Sequence, residues 1–197
     1  MPNPVVGSLL VLCPLVVICI YNINFLNKGR ILSILDQSLV IPEFLDPLTW
    51  IYLFAFMVFQ AFLHLLVPAK TIYGPLTQNG NVPEYKENGM RCYLITMATF
   101  LLGVKMEWWS GGVLIEHFGA IIIRLNLFAL VLCAYLLHLG YHNPTTNDLK
   151  YSGEIFSDYF WGTDLYPKIF GVDVKVWTNC RMGMTMWPLV ITSCLFY

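Results

Sequence analysis

Charge is what this chain has little of. Asp, Glu, Lys and Arg make up 12% of its 197 residues, and the formal net charge is −1. No basic stripe is present that would neutralise phosphates, which excludes nucleic acid as a partner. The cysteines number six, yet no two stand in a CxxC spacing, and Cys13, Cys19, Cys92, Cys133 and Cys194 sit inside apolar runs, where a thiol behaves as a small hydrophobe. That pattern supports neither a disulfide framework nor a zinc site. A GxGxxG phosphate loop is also missing, so nothing here binds a nucleotide in the Rossmann manner. The near-match to a glycosylation acceptor, Asn143-Pro144-Thr145, has proline in the blocking position. Histidines number only four. His138 and His142 have the i,i+4 spacing that grips a metal, but membrane di-iron oxygenases need several such boxes, so no metal is assigned.

What the chain does have is apolar length. Apolar residues make up 57% of it, which points to a membrane class. Residues 4–25 form a run long enough to cross a hydrocarbon core of about 30 Å. The run lacks a basic n-region and a small-residue cleavage site, so it reads as a retained span rather than a signal peptide. Residues 28–46 mix apolar and polar side chains as a short interfacial helix does. A second span covers 48–67, and from Trp50 onward it contains only Gln60 and His64 as polar side chains; four residues apart, they share one helix face. Such a pair faces a bundle interior or contacts a ligand. A Gly-, Pro- and Asn-rich loop leads to a third span at 92–104, and Trp108 and Trp109 after it suit the headgroup belt. A fourth span runs over 118–140, with Arg124 near one end, where a long side chain can snorkel to the headgroups.

The last apolar run, 184–197, reaches only about 20 Å at 1.5 Å per residue, so it reads as an incomplete fifth span and the chain as the front part of a longer protein. The expected fold is all-α: a polytopic transmembrane helical bundle with four full spans, a truncated fifth and one interfacial helix. Lys70, Lys86 and Arg91 lie on the same side as Lys150, Lys168, Lys175 and Arg181, against Lys28, Arg30 and Lys105 on the other. The richer side is expected in the cytosol, together with the N-terminus and the 141–183 connector.

Polar chemistry concentrates in 151–187, where Asp158, Asp164, Asp173, Lys168, Lys175 and Arg181 alternate with Tyr159, Phe160, Trp161, Tyr166 and Trp177. By composition this is either a lining for a flat apolar ligand with one polar end or an ordered loop cap. The order Gly153, Asp158-Tyr159-Phe160-Trp161-Gly162, Asp164-Leu165-Tyr166-Pro167-Lys168, Asp173-Val174-Lys175 and Asn179-Cys180-Arg181 resembles the signature of the membrane sterol reductases. Pro68-Ala69-Lys70, Gly74-Pro75 and the Pro83 to Gly89 stretch with Tyr93 and Thr96 resemble the same family. Tyr166 before its proline and Thr178-Asn179-Cys180-Arg181 resemble the delta-7 branch more than the delta-14 branch. Asp164 stands where the family usually has Glu and Lys168 where it has Arg, and losing the guanidinium fork weakens bidentate contact there.

The resemblance implies an oxidoreductase of sterol biosynthesis in the endoplasmic reticulum membrane, with about ten helices of which this chain holds roughly the first half. It implies a sterol substrate, a lipid bilayer around it, other sterol-biosynthesis membrane proteins as neighbours, and NADPH bound beyond Tyr197. Reducing a ring alkene needs a proton at one carbon and a hydride at the other. Asp158, Tyr159, Asp164 and Tyr166 are candidate acids by type, while Trp161, Gly162, Pro167, Lys168, Asn179 and Arg181 are family-motif or substrate-pocket candidates. The chain alone is expected to be inactive. The competing readings are a non-catalytic membrane protein that binds sterol or a partner helix, and a delta-14 sterol reductase relative.

Overall fold

The computed structural model describes residues 47–197 together with Val5, Ser8, Leu9, Leu12, Cys13, Val16 and Val17. Those seven residues are helical; the rest of the expected 4–25 span and the expected interfacial helix at 28–46 lie outside the described residues. The chain divides into two compact units, residues 1–50 with 119–167 and residues 51–118 with 168–197.

Helix α1, Pro47–Leu66, carries proline at its first position, where the missing N–H would be unbonded in any case. It stops ahead of Pro68, which cannot continue the ladder. Its 20 residues span about 30 Å, the thickness of a hydrocarbon core. Most of α1 belongs to the second unit. There strands β1, Thr71–Tyr73, and β2, Glu84–Lys86, pair antiparallel with Ile72 opposite Tyr85. Gly80, at φ 81°, takes the left-handed turn position between them.

Helix α2, Gly89–Lys105, follows at once. It ends in a Schellman turn: Trp108 N–H donates to Gly103 O at 2.9 Å and Glu107 N–H to Val104 O at 3.1 Å. Such a turn needs a left-handed residue, and Glu107 supplies it at φ 58°. The Trp109 ring lies against Gly103, where an added Cβ would come within 2.0 Å of it. After the one-turn helix α3, Val113–Glu116, the chain leaves this unit and returns with β3, Lys168–Ile169, paired with β4, Val172–Asp173.

A continuous helical run then begins with α4, Val174–Val176, passes through a π-helical turn, Trp177–Gly183, and ends with α5, Met184–Cys194. The Met184 N–H bonded to Asn179 O closes the wider π ring. Ser193 pins the end of α5, donating to Gly111 O at 2.7 Å and accepting from Leu114 N–H at 3.3 Å.

The first unit centres on α6, Phe118–His142, a 25-residue apolar helix. Residues 143–167 fold back on its C-terminal half and include the short helix α7, Ile155–Trp161. Glu154 caps α7 by accepting from Ser157 N–H at 2.9 Å, and Gly162, at φ 68°, ends it.

The molecule is mostly helical, with two two-stranded ribbons added to the all-α expectation. Among the described residues, α1 and α6 are long and apolar enough to cross a membrane. They match the expected spans at 48–67 and 118–140. The third expected span is a 17-residue helix, about 25 Å long, so four full spans are not established. Arg124 corrects another expectation. It does not reach for headgroups: the side chain is fully buried, with its guanidinium 5.4 Å from the centre of the Trp50 ring, a cation–π placement.

Candidate functional site

In the first unit the polar chemistry gathers around two buried aspartates. Asp158, on α7, accepts from Ser152 N–H at 2.8 Å, from the Ser152 hydroxyl, and from the Tyr141 hydroxyl at 2.8 Å at the end of α6. Burial pushes this carboxyl up, but the Ser152 and Tyr141 donors outweigh it and hold the group below the ordinary carboxylate range.

Asp164 is tied in the same way. It accepts from Thr145 N–H at 2.9 Å, the Thr145 hydroxyl at 2.8 Å, the Thr146 hydroxyl at 2.7 Å and Tyr166 N–H at 3.1 Å. Burial again raises it, and these four donors together bring it below its usual value. In this geometry Asp158 and Asp164 are the acceptors that close the connector.

The other candidates in this unit divide by exposure. Tyr159 donates to Leu130 O at 2.6 Å, and its own ionisation is pushed up, first by burial. Gly162 and Pro167 are buried, Tyr166 is half-buried, and Trp161 is exposed. Gly140 admits no side chain, because a Cβ there would meet the Thr163 hydroxyl at 2.0 Å and Asp164 N at 3.1 Å.

The second unit has its own polar cluster, where α1 hands over to α2. The last carbonyls of a helix need outside donors. Here Asn88 Nδ2 donates to His64 O and Val67 O at 3.2 and 3.0 Å, and Arg91 Nη1 to Pro68 O at 3.0 Å. Lys86 Nζ lies 3.5 Å from His64 O and Leu65 O. Arg181 reaches in from the π turn, buried, and donates to Asn88 Oδ1 and, at 3.4 Å, to Lys86 O. Gly89 makes room for it, since a Cβ there would stand 2.8 Å from Nη1. The cations of this cluster point at carbonyls and an amide.

Deeper in α1, Gln60 is fully buried and donates to the Thr96 hydroxyl at 2.9 Å, which in turn donates to Cys92 O at 2.8 Å. Gln60 Oε1 and His64 Nδ1 are buried with no hydrogen-bond partner among the described residues. Of the remaining candidates, Lys168 and Asn179 are exposed. Asp173 caps α4 through Val176 N–H at 3.0 Å. Burial raises its carboxyl above the ordinary value against the pull of the Val176 and Lys175 N–H groups and the Lys175 and Lys168 charges. The sequence offered one sign of the Arg181 cluster: Asn88-Gly89 at the end of the 83–89 stretch that resembles the family. It offered none for Ser152, Thr145 or Thr146.

Residues 15–197 match the family described as "Ergosterol biosynthesis ERG4/ERG24 family". The chain is similar to the 7-dehydrocholesterol reductase of Arabidopsis thaliana, 37% identical over 154 residues, covering 75% of this chain and 35% of that protein. It is 31% identical to the Delta(14)-sterol reductase of Methylotuvimicrobium alcaliphilum, covering 71% of this chain and 32% of that one. To the 7-dehydrocholesterol reductase of Xenopus laevis it is 28% identical, covering 85% and 37%. The chain thus spans about a third of the length of the curated relatives it matches.

Proposed function

Because the chain belongs to the ergosterol biosynthesis ERG4/ERG24 family, we propose that it supplies the N-terminal membrane frame of a reductase acting on a sterol ring double bond, the delta-7 bond in first place. The observation that carries this is the family match over residues 15–197, supported by 37% identity to the plant protein named for that reaction. The delta-14 bond is the second reading, favoured by the similarity to the bacterial relative.

NADPH supplies the hydride in this reading, and its site belongs to the two thirds of the relatives that this chain does not cover. The residues present here have other work. The long apolar helix α1 meets the sterol's ring system in the bilayer, and its Gln60 Oε1 and His64 Nδ1 offer polar atoms to a ligand with a single hydroxyl. The membrane is that of the endoplasmic reticulum, with the basic side of the loops facing the cytosol.

Two measurements test the proposal. The 197-residue chain alone, in phosphatidylcholine vesicles with 7-dehydrocholesterol and NADPH, is expected to give no sterol-dependent loss of NADPH absorbance; turnover would overturn the reading of the chain as a frame. The chain placed in the Arabidopsis thaliana enzyme in exchange for the matched stretch is expected to restore delta-7 reduction in cells lacking it. A chimera that reaches the membrane yet reduces neither a delta-7 nor a delta-14 sterol would sink the proposal.

A further inference from the structure

We infer that α7 is seated in the membrane rather than in the water above it, lying against the C-terminal half of α6 with its Ile155, Phe156 and Trp161 side chains in contact with lipid acyl chains. Two adjacent residues fix its level. Asp158 is bonded to Tyr141 at the end of α6, and Tyr159 to the carbonyl of Leu130. Leu130 is the midpoint of the 25-residue helix. At 1.5 Å per residue α6 is about 37 Å long, against a hydrocarbon core of about 30 Å. Wherever a helix of that length is placed so as to span such a core, its midpoint stays at least about 11 Å inside either boundary. The Tyr159 hydroxyl is therefore deep in the hydrocarbon, and α7 lies between that depth and the membrane surface.

The bonding of the segment suits this position. In hydrocarbon every polar group must be satisfied from within. Leu130 O is a helix-interior carbonyl with a second lone pair, and Tyr159 uses it. Glu154 closes the start of α7 and Gly162 N–H, bonded to Asp158 O at 2.9 Å, closes its end. The Asp158 carboxylate is enclosed by Ser152 and Tyr141 at the level where α6 ends.

The outward face is the reverse, all apolar: Ile155 is 66% exposed, Phe156 47% and Trp161 68%, with Phe160 beside them. Val131 and Tyr135 of α6 itself are exposed as well. In water such a patch carries a free-energy cost of roughly 25 cal/mol per Å². Against acyl chains it carries none, and the exposed tryptophan matches the aromatic belt at a membrane boundary.

The test uses the whole chain in phosphatidylcholine vesicles, with its six cysteines changed to alanine and a single environment-sensitive fluorophore at Ile155→Cys, Trp161→Cys or, on the exposed hairpin loop, Gln78→Cys. Nitroxide carried on the lipid acyl chain is expected to quench the label at 155 and 161 severalfold more than at 78, and aqueous iodide to do the opposite. Iodide quenching at 155 and 161 equal to that at 78 would overturn the inference. So would shielding from both quenchers, which would mean that protein covers the face. The unsubstituted chain gives an independent check: an acyl-chain diazirine phospholipid should leave adducts on the peptide containing Ile155–Trp161, and an unlabelled peptide beside labelled α6 would contradict lipid contact.

Discussion

Asp164→Asn isolates the connector chemistry in one atom. The carboxylate serves two donors on each oxygen: Oδ2 takes Thr145 N–H and its hydroxyl, and Oδ1 takes the Thr146 hydroxyl and Tyr166 N–H. An amide of the same shape turns one oxygen into an NH₂ group. The threonine hydroxyls can rotate and accept from it, but a backbone N–H cannot. Whichever way the amide sits, Thr145 N–H or Tyr166 N–H loses its acceptor, and the donors that remain bonded lose a charged partner. An orphaned buried donor costs about 1–3 kcal/mol, and bonds to a charged group exceed neutral ones by about 1 kcal/mol. The substitution should therefore weaken local closure by about 3 kcal/mol, roughly a hundredfold in the opening equilibrium.

Hydrogen–deuterium exchange of peptides carrying Thr145 and Tyr166 reads this directly, with amides of the α6 interior as internal reference. Protection at those two amides unchanged in the variant would refute the reasoning. The pH dependence has a defined sign. Because the folded carboxyl lies below its unfolded value, its stabilisation is complete above the ordinary carboxylate pKa and is lost as pH falls through the folded one. Protection at Thr145 and Tyr166, corrected for intrinsic exchange, should decline in that acidic window in the parent chain. In Asp164→Asn it should already be low at neutral pH.

Three further substitutions test other joints. Glu107→Gly relieves a left-handed non-glycine residue on the surface and should stabilise the chain by about 1 kcal/mol, seen as a higher thermal midpoint in detergent; a lower midpoint would show that Glu107 contributes more than its backbone strain removes. Gly103→Ala must displace the Trp109 ring, which stacks on Phe100 and donates to Phe100 O at 3.2 Å, at a cost of about 1–3 kcal/mol and with a red shift in tryptophan emission; unchanged emission would contradict the packing. Arg181→Lys keeps the charge but replaces the planar guanidinium, whose Nη2 donates to both Asn88 Oδ1 and Lys86 O, with an ammonium on a shorter side chain, and should lower stability by about 2 kcal/mol in thermal unfolding; tolerance of lysine would mean that charge alone holds the joint.

The long helices were legible because composition alone defines them. Runs such as 48–67 and 118–140 have nowhere to be stable except lipid or a core, so their existence and type follow without knowledge of neighbours. Residues 174–183 were not. Lys175, Thr178, Asn179 and Arg181 give them the polarity of a connector, yet they wind as the start of the last helix, because Arg181 finds its acceptors at Lys86 and Asn88, far away in sequence. Arg124 shows the same limit: a cation in an apolar run reads as snorkelling unless Trp50 is known to lie under it. The family signature was readable as a pattern, and the work of its residues was not. Nothing local distinguishes an aspartate that gives up a proton from one that accepts hydrogen bonds from Ser152 and Tyr141.

The proposed division between frame and chemistry rests on where the polar groups point. A proton donor in a reductase must keep its proton at neutral pH and turn it toward an apolar ligand. Asp158 and Asp164 accept from hydroxyls and backbone N–H groups. Tyr159 keeps its proton, but directs it at a helix carbonyl. Lys86, Arg91 and Arg181 aim their donors at carbonyls and at Asn88. In both units the charged residues that mark the family signature thus complete backbone hydrogen bonding at the places where helices end and chains turn. Charge placed there fixes the geometry of the apolar helices and leaves their faces free, which is what the proposed frame requires.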